Sequence, residues 1–198
     1  MNVVFDLGNV LLRWDPRFLF RKIFDDEARM EWFLAHVCNH DWNLEQDRGR
    51  SLAEGVALLK PRFPEYAGAI EAYHRRWSET LGGAIGGTVA ILDDLHARGT
   101  ALYALTNWNG DTFRLTRGRH AFLTKFRDIV VSGDEGLLKP DPAIYRLLLA
   151  RNGLDASQSL FIDDSPANVK GAEAAGMKGY HFTTPEALRT HLQRTGLL

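Results

Sequence analysis

Four short apolar runs punctuate the chain: Asn2–Phe5 (NVVF), Ala101–Leu105 (ALYAL), Asp128–Val131 (DIVV) and Ser159–Ile162 (SLFI). A weaker fifth spans Lys178–Phe182 (KGYHF). Each is nearly continuous in apolar character and is followed by polar or turn residues, the pattern of strands buried on both faces of a parallel sheet. Helical patterns fall between them. In Gly87–Arg98 the residues Val89, Leu92 and Leu95 recur at roughly helical spacing. Pro142–Asn152, Ser165–Ala175 and Thr184–Arg194 are opened by Asp141-Pro142, Ser165-Pro166 and Thr184-Pro185, a capping residue followed by proline at the first helical position. Gly176 is placed to end the second of these as a C′ glycine. Strands alternating with helices at this rhythm predict an α/β fold, a doubly wound parallel sheet.

The stretch from Asp15 to Leu81 breaks the rhythm. It holds no convincing strand, and Asp25–Cys38, Ser51–Phe63 and Glu65–Leu81 read as amphipathic helices. A helical block of residues 15–81 is therefore expected to interrupt an α/β unit formed by residues 1–14 and 82–198, with Gly82–Gly87 (GGAIGG) as the return hinge.

Composition narrows the class without naming a reaction. The 198 residues carry 24 Lys+Arg against 25 Asp+Glu, a net charge of −1, and are 45% hydrophobic. That is too apolar for a disordered chain of this charge, and it lacks the basic excess of a nucleic-acid binder. The single cysteine, Cys38, has no partner for an internal disulfide and reads as a small buried residue. No run of eighteen apolar residues predicts a membrane span, and the N-terminus lacks the layout of a signal peptide. A soluble cytoplasmic protein, monomer or homodimer, without membrane or nucleic-acid partners, is expected.

Ligands of open α/β sheets bind at the carboxyl ends of the strands. Asp6 follows the first run, Thr106 and Asn107 the second, Lys139-Pro140 lies a short loop beyond the third, and Asp163 and Asp164 follow the fourth. Three carboxylates on one sheet edge repel one another unless a cation sits among them. Hard oxygen ligands with no His or Cys alongside suit Mg²⁺, and a lysine, a hydroxyl and backbone N–H groups suit a phosphoryl group.

The same residues, in order, resemble the haloacid dehalogenase-like (HAD) hydrolase superfamily. Phe5-Asp6-Leu7-Gly8-Asn9-Val10-Leu11 is similar to its first motif and Leu105-Thr106-Asn107 to its second. The segment from Ser132 to Lys139-Pro140-Asp141-Pro142 is similar to the third, and Phe161-Ile162-Asp163-Asp164-Ser165 to the fourth. The helical block resembles the family's inserted α-helical cap. The nearest likeness is to the phosphatase branch with an Asp-x-Gly-Asn-Val first motif, which includes glucose-1-phosphate phosphatases. The resemblance implies hydrolysis of a small, sugar phosphate-like substrate through an aspartyl-phosphate on Asp6. Thr106 and the Asn107 N–H would hold phosphoryl oxygens, and Lys139 would neutralise charge. Mg²⁺ would sit on Asp6, the Gly8 carbonyl and Asp164, with Asp163 acting through a bound water and Asn168 orienting that shell.

One departure matters. Most phosphatases of the family place a second Asp, the general acid, two residues beyond the nucleophile; here that residue is Gly8. Proton transfer is worth about 10²–10⁴-fold in rate, so a substitute acid is expected, Asp15 being nearest in sequence. A haloacid dehalogenase needs no such acid, but it also needs no metal and keeps no acidic pair like Asp163-Asp164. A catalytically weak, binding-only relative is the other alternative. A two-component receiver fits less well, since its acidic pair comes first in the chain. Within the helical block, Trp42 and the polar run Glu45–Arg48 are either substrate contacts or a packed Trp and a solvated turn, with Arg48 available for a second anionic group. Trp108 is placed either to wall the site or to pack beneath the block.

Overall fold

The computed structural model describes residues 1–198. Five parallel strands form the sheet: β1 (Asn2–Phe5), β4 (Leu102–Thr106), β5 (Asp128–Val131), β6 (Ser159–Asp163) and β7 (Lys178–His181). Their order is β5-β4-β1-β6-β7, so β1 lies at the centre with β4 and β6 on either side. Every run read as a strand is one, within a residue or two.

The alternation along the strands explains why they read as unbroken apolar runs. Val3 and Phe5, Leu102 and Ala104, and Leu160 and Ile162 belong to one core; Val4, Tyr103, Leu105 and Phe161 belong to the other. Helices α6 (Gly86–Ala97) and α11 (Pro185–Arg194) bury Ile91, Leu92, Leu95, Leu188 and Leu192 on the first face. Helix α9 (Pro142–Asn152) buries Ile144, Tyr145, Leu148 and Leu149 on the second, joined by Ala172 of α10 (Pro166–Ala174). Asp141 and Thr184 cap as expected, accepting from the Ala143 and Ala187 N–H groups. Ser165 does not cap. Its own N–H is held by Asp163 at 2.8 Å instead.

Between β1 and α6 the chain is helical, with two departures from expectation. The glycine-rich return is not a plain hinge. Leu81–Ala84 is a strand, β3, paired antiparallel with β2 (Leu12–Trp14), so both crossings run as one short ribbon. Three residues on one side and two adjacent glycines on the other gave no strand pattern. Gly82 is needed there, because a Cβ would lie 2.6 Å from the Phe18 ring. The second departure is the polar run Glu45–Arg48. It is no turn: α3 (His40–Asp47) includes its first three residues, capped by Asn39 and burying Trp42 and Gln46. The segment read as one helix over Glu65–Leu81 is α5 (Ala67–Arg75) flanked by two 3₁₀ turns. The remaining helices here are α1 (Arg17–Phe20), α2 (Glu27–His36) and α4 (Leu52–Leu59). Their Phe20, Phe33 and Leu59 join Tyr73 and Trp77 in the core cluster of the first sheet face.

One side chain ties this helical segment to the helix that follows β4. Asn109, 4% exposed, caps α7 (Gly110–Arg117) through Oδ1, accepting from the Asp111 and Thr112 N–H groups. Its Nδ2 donates to the carbonyls of Gln46 and Arg50, both at 3.1 Å. Losing a cap costs about 1 kcal/mol, and stranding buried carbonyls adds a similar amount. Asn109→Ala is therefore expected to lower unfolding stability by about 2 kcal/mol in urea denaturation; a change under about 0.5 kcal/mol would show that the docking bonds contribute nothing.

Candidate functional site

The central strand delivers Asp6 at its carboxyl end, its N–H held by the Ile162 carbonyl at 2.8 Å. The chain then turns sharply at Asn9, whose φ of +54° lies in the left-handed region that Asn tolerates. The Asn9 Oδ1 fixes the turn by accepting from the Trp14 N–H at 3.0 Å. Register does the rest. Phe5 is level with Ala104 and with Ile162, so Asp6 and Asp163, one residue further out, and Thr106, two further out on its strand, share the edge. Thr106 and Asp163 are the last residues of their strands, and both are buried.

Lys139 comes from the loop before α9 and is clamped by Asn107, whose Oδ1 accepts the Lys139 N–H at 2.9 Å while its Nδ2 donates to the Lys139 carbonyl at 3.0 Å. The ammonium, 3% exposed, bridges Asp6 Oδ1 at 2.8 Å and Asp163 Oδ2 at 2.7 Å. Asp163 has both oxygens engaged: Lys139, two contacts from Asn168 Nδ2 at 3.1 Å, and the Ser165 N–H. Asn168 thus reaches Asp163.

Carboxylate oxygens of Asp6, Asp163 and Asp164 lie within 4.8 Å of one another. Burial raises the Asp6 carboxyl above its ordinary range; the Lys139 charge pulls it back, and Asp163 adds to the rise. Burial and then the Asp163 charge also raise Asp164. Burial pulls the Lys139 ammonium down, but Asp6 and Asp163 more than offset that. Three carboxylates against one ammonium leave an excess of negative charge, and all the donors are hard oxygens. The set fits a divalent cation, with Asp6 and the exposed Asp164 free to face it.

These groups open into a cavity of about 220 Å³ roofed by the helical segment. Asp6, Gly8, Asn107 and Asp164 line its floor. Leu12, Trp14, Leu44, Trp77 and Trp108 give it apolar walls, and His40, Asn43 and Asp47 reach in from α3. Trp108 does both things expected of it: it walls the cavity and packs on Trp77 and Phe113. Trp42 is a packed residue, its indole N–H donating to the Gly55 carbonyl. Arg48 is exposed and pairs with Glu45, away from the cavity. Asp15 does not line the cavity either; its carboxylate accepts the Arg17 N–H and pairs with that guanidinium. Asp47 sits in the run Glu45–Arg48, read either as substrate contacts or as a solvated turn, and nothing in the sequence pattern singled it out within that run. Burial pushes its carboxyl up to about 7, with the Asn109 N–H pulling down and the Asp6 charge pushing up.

Comparison with known proteins agrees with this architecture. A sesquiterpene phosphatase, astK, of Aspergillus oryzae is 27% identical over 91% of this chain and 88% of its own length. A phosphoglycolate phosphatase of Pseudomonas fluorescens is 30% identical over 70% of this chain, which spans only about half (54%) of that relative. Among solved structures, the HAD family enzyme bt-2542 of Bacteroides thetaiotaomicron, in complex with magnesium and inorganic phosphate, superposes with a TM-score of 0.69. That match is 22% identical and covers 92% of this chain and 94% of the other. The family model for haloacid dehalogenase-like hydrolases matches residues 1–176, and with the ordered strand-end residues in place the chain belongs to that hydrolase family.

Proposed function

We propose that this hydrolase is a Mg²⁺-dependent phosphatase of small phosphorylated metabolites that works through an aspartyl-phosphate on Asp6. The observation that carries the reading is the buried Lys139 ammonium bridging Asp6 and Asp163 beside the three-carboxylate cluster. An ammonium at 2.8 Å opposes the burial that raises the Asp6 carboxyl and aims it, which a nucleophile needs. Thr106 and the Asn107 N–H hold the phosphoryl oxygens. Asp6, the Gly8 carbonyl and Asp164 would hold Mg²⁺, with Asp163 reaching it through water. When bound, the ion neutralises phosphoryl charge as the bond to the leaving oxygen breaks. Residues 1–14 and 82–198 form the catalytic core, and residues 15–81 form a cap that excludes water and carries substrate-selecting walls. Those walls, Trp14, Trp77 and Trp108 with Leu12 and Leu44, suit a leaving group with an apolar face.

The phosphatase relatives and the magnesium and phosphate in the bt-2542 complex support the same reading. Phosphorylated metabolites screened with Mg²⁺ and with EDTA test it, with 2-chloropropionate alongside. Phosphate release is expected with Mg²⁺, falling at least about 100-fold in EDTA. Dechlorination that survives EDTA would overturn the proposal in favour of a dehalogenase.

A further inference from the structure

The residue two beyond Asp6 is glycine, so that position offers no proton to the leaving oxygen. The cavity contains three carboxylates, Asp6, Asp164 and Asp47, and the first two face the cation site. Asp47 alone comes from the roof, at the last turn of α3.

The segment around it is held from both sides. Ser132, wholly buried at the end of β5, donates its hydroxyl to the Asp47 carbonyl at 2.6 Å while accepting the Trp108 N–H at 2.9 Å. Asn109 ties the carbonyls of Gln46 and Arg50, one residue before Asp47 and three after it. The carboxyl itself is oriented through a relay. The buried Tyr73 hydroxyl donates to Asn43 Oδ1 at 2.7 Å, and Asn43 Nδ2 donates to Asp47 Oδ2 at 3.0 Å. That relay holds Oδ2 of a carboxyl that lines the cavity. So much backbone and side-chain restraint on one half-buried acid is what a group needing a fixed position over a reacting atom requires.

Resting on the phosphatase reading above, we propose that Asp47 is the proton-transferring residue of the reaction, supplied by the roof in place of the acid missing at Gly8. As an Asp6 oxygen bonds to phosphorus and the bond to the leaving oxygen breaks, that oxygen takes the proton of the Asp47 carboxyl. Water then attacks the phosphorus and gives its proton to the Asp47 carboxylate. The bond to Asp6 breaks, inorganic phosphate leaves, and both carboxyls return to their starting states. A carboxyl raised by burial to about 7 keeps its proton in a sizeable share of molecules near neutral pH, which suits the first step. The charged and titratable groups around Asp47 are Asp6 and Lys139 below it, Asp164 on the cavity floor, His40 on the same helix and Tyr73 behind it. Arg50 is turned away, bonded to the Trp42 carbonyl and the Gln46 side chain.

The test is the dependence of kcat/KM on the leaving group, using p-nitrophenyl, phenyl and methyl phosphate. Protonation matters little for p-nitrophenolate and greatly for methoxide. Asp47→Asn is expected to lose less than about tenfold on p-nitrophenyl phosphate and about 10²–10⁴-fold on methyl phosphate. A Cβ at Gly8 would meet nothing within 4 Å, and Gly8 is not among the positive-φ residues, so Gly8→Asp is sterically open. Added to Asp47→Asn, it is expected to recover at least about tenfold on methyl phosphate. Equal losses on all three esters, or no loss, would overturn the proposal, as would a steepened dependence in His40→Ala but not in Asp47→Asn. Should Asp47→Asn fail to melt cooperatively, the wild type decides: a shallow leaving-group dependence supports an internal proton donor and a steep one overturns it. Wild-type enzyme inactive on all three esters with Mg²⁺ would refute the phosphatase reading itself.

Discussion

Asp6→Asn is expected to hydrolyse p-nitrophenyl phosphate on the order of 10⁴-fold more slowly than wild type, or worse, while melting as a native protein. The amide is nearly isosteric with the carboxylate but is not a nucleophile, so no aspartyl-phosphate forms. Nothing in the packing punishes the change: Lys139 keeps Asp163 at 2.7 Å as its counter-charge. The pH dependence of stability has a definite sign. Burial raises the Asp6 carboxyl above its unfolded value of 3.8, so the wild-type fold carries a penalty that grows as pH rises from about 4 through the raised value. The variant lacks that penalty. Its Tm relative to wild type, measured in EDTA, should therefore climb between pH 5 and pH 8. Activity near wild type in a folded Asp6→Asn protein would remove Asp6 as nucleophile.

The strand-end half of this site is legible in the sequence because parallel-sheet geometry turns chain order into spatial order. Asp6, Thr106 and Asp163 each lie at the end of a β-forming run, and central strands in register bring those ends together. Lys139 is less local, but it needs only a short loop after β5. The roof is different. Asp47 enters the cavity because α3 packs on Tyr73 and because Ser132 and Asn109, some sixty to eighty-five residues away in the chain, bind its own carbonyl and that of Gln46. No period within residues 40–50 encodes that. Even α3 hides, since Trp42 and Gln46 are its only buried side chains among eight residues. The β2–β3 ribbon is missed for a similar reason: Gly82 and Gly83 present no side chains from which an alternation could be read. Asp15, the nearest acid in sequence, is taken by Arg17, a partner two residues away.

Lys139→Met should be the most damaging single change to the fold of the site. The ammonium is buried between two buried carboxylates, also 5.4 Å from the Phe161 ring, and methionine fills the space without the charge. Removing one partner of a buried pair commonly costs 3–5 kcal/mol, because the uncompensated charge stays behind. About that loss is expected in urea denaturation with EDTA present. The loss should also grow with pH. Lys139 is what pulls Asp6 down against burial, and without it the folded carboxyl binds its proton still more tightly. The variant is then penalised over a wider range above the unfolded value, so its deficit at pH 8 should exceed that at pH 5. Activity should vanish together with stability, since in the proposed mechanism the same charge steadies Asp6 and neutralises the phosphoryl group. A divalent cation added to the variant should recover part of the Tm, because it replaces positive charge at the same carboxylates. A deficit independent of pH would mean that the methylene stem of Lys139, and not its charge, holds this edge of the sheet together.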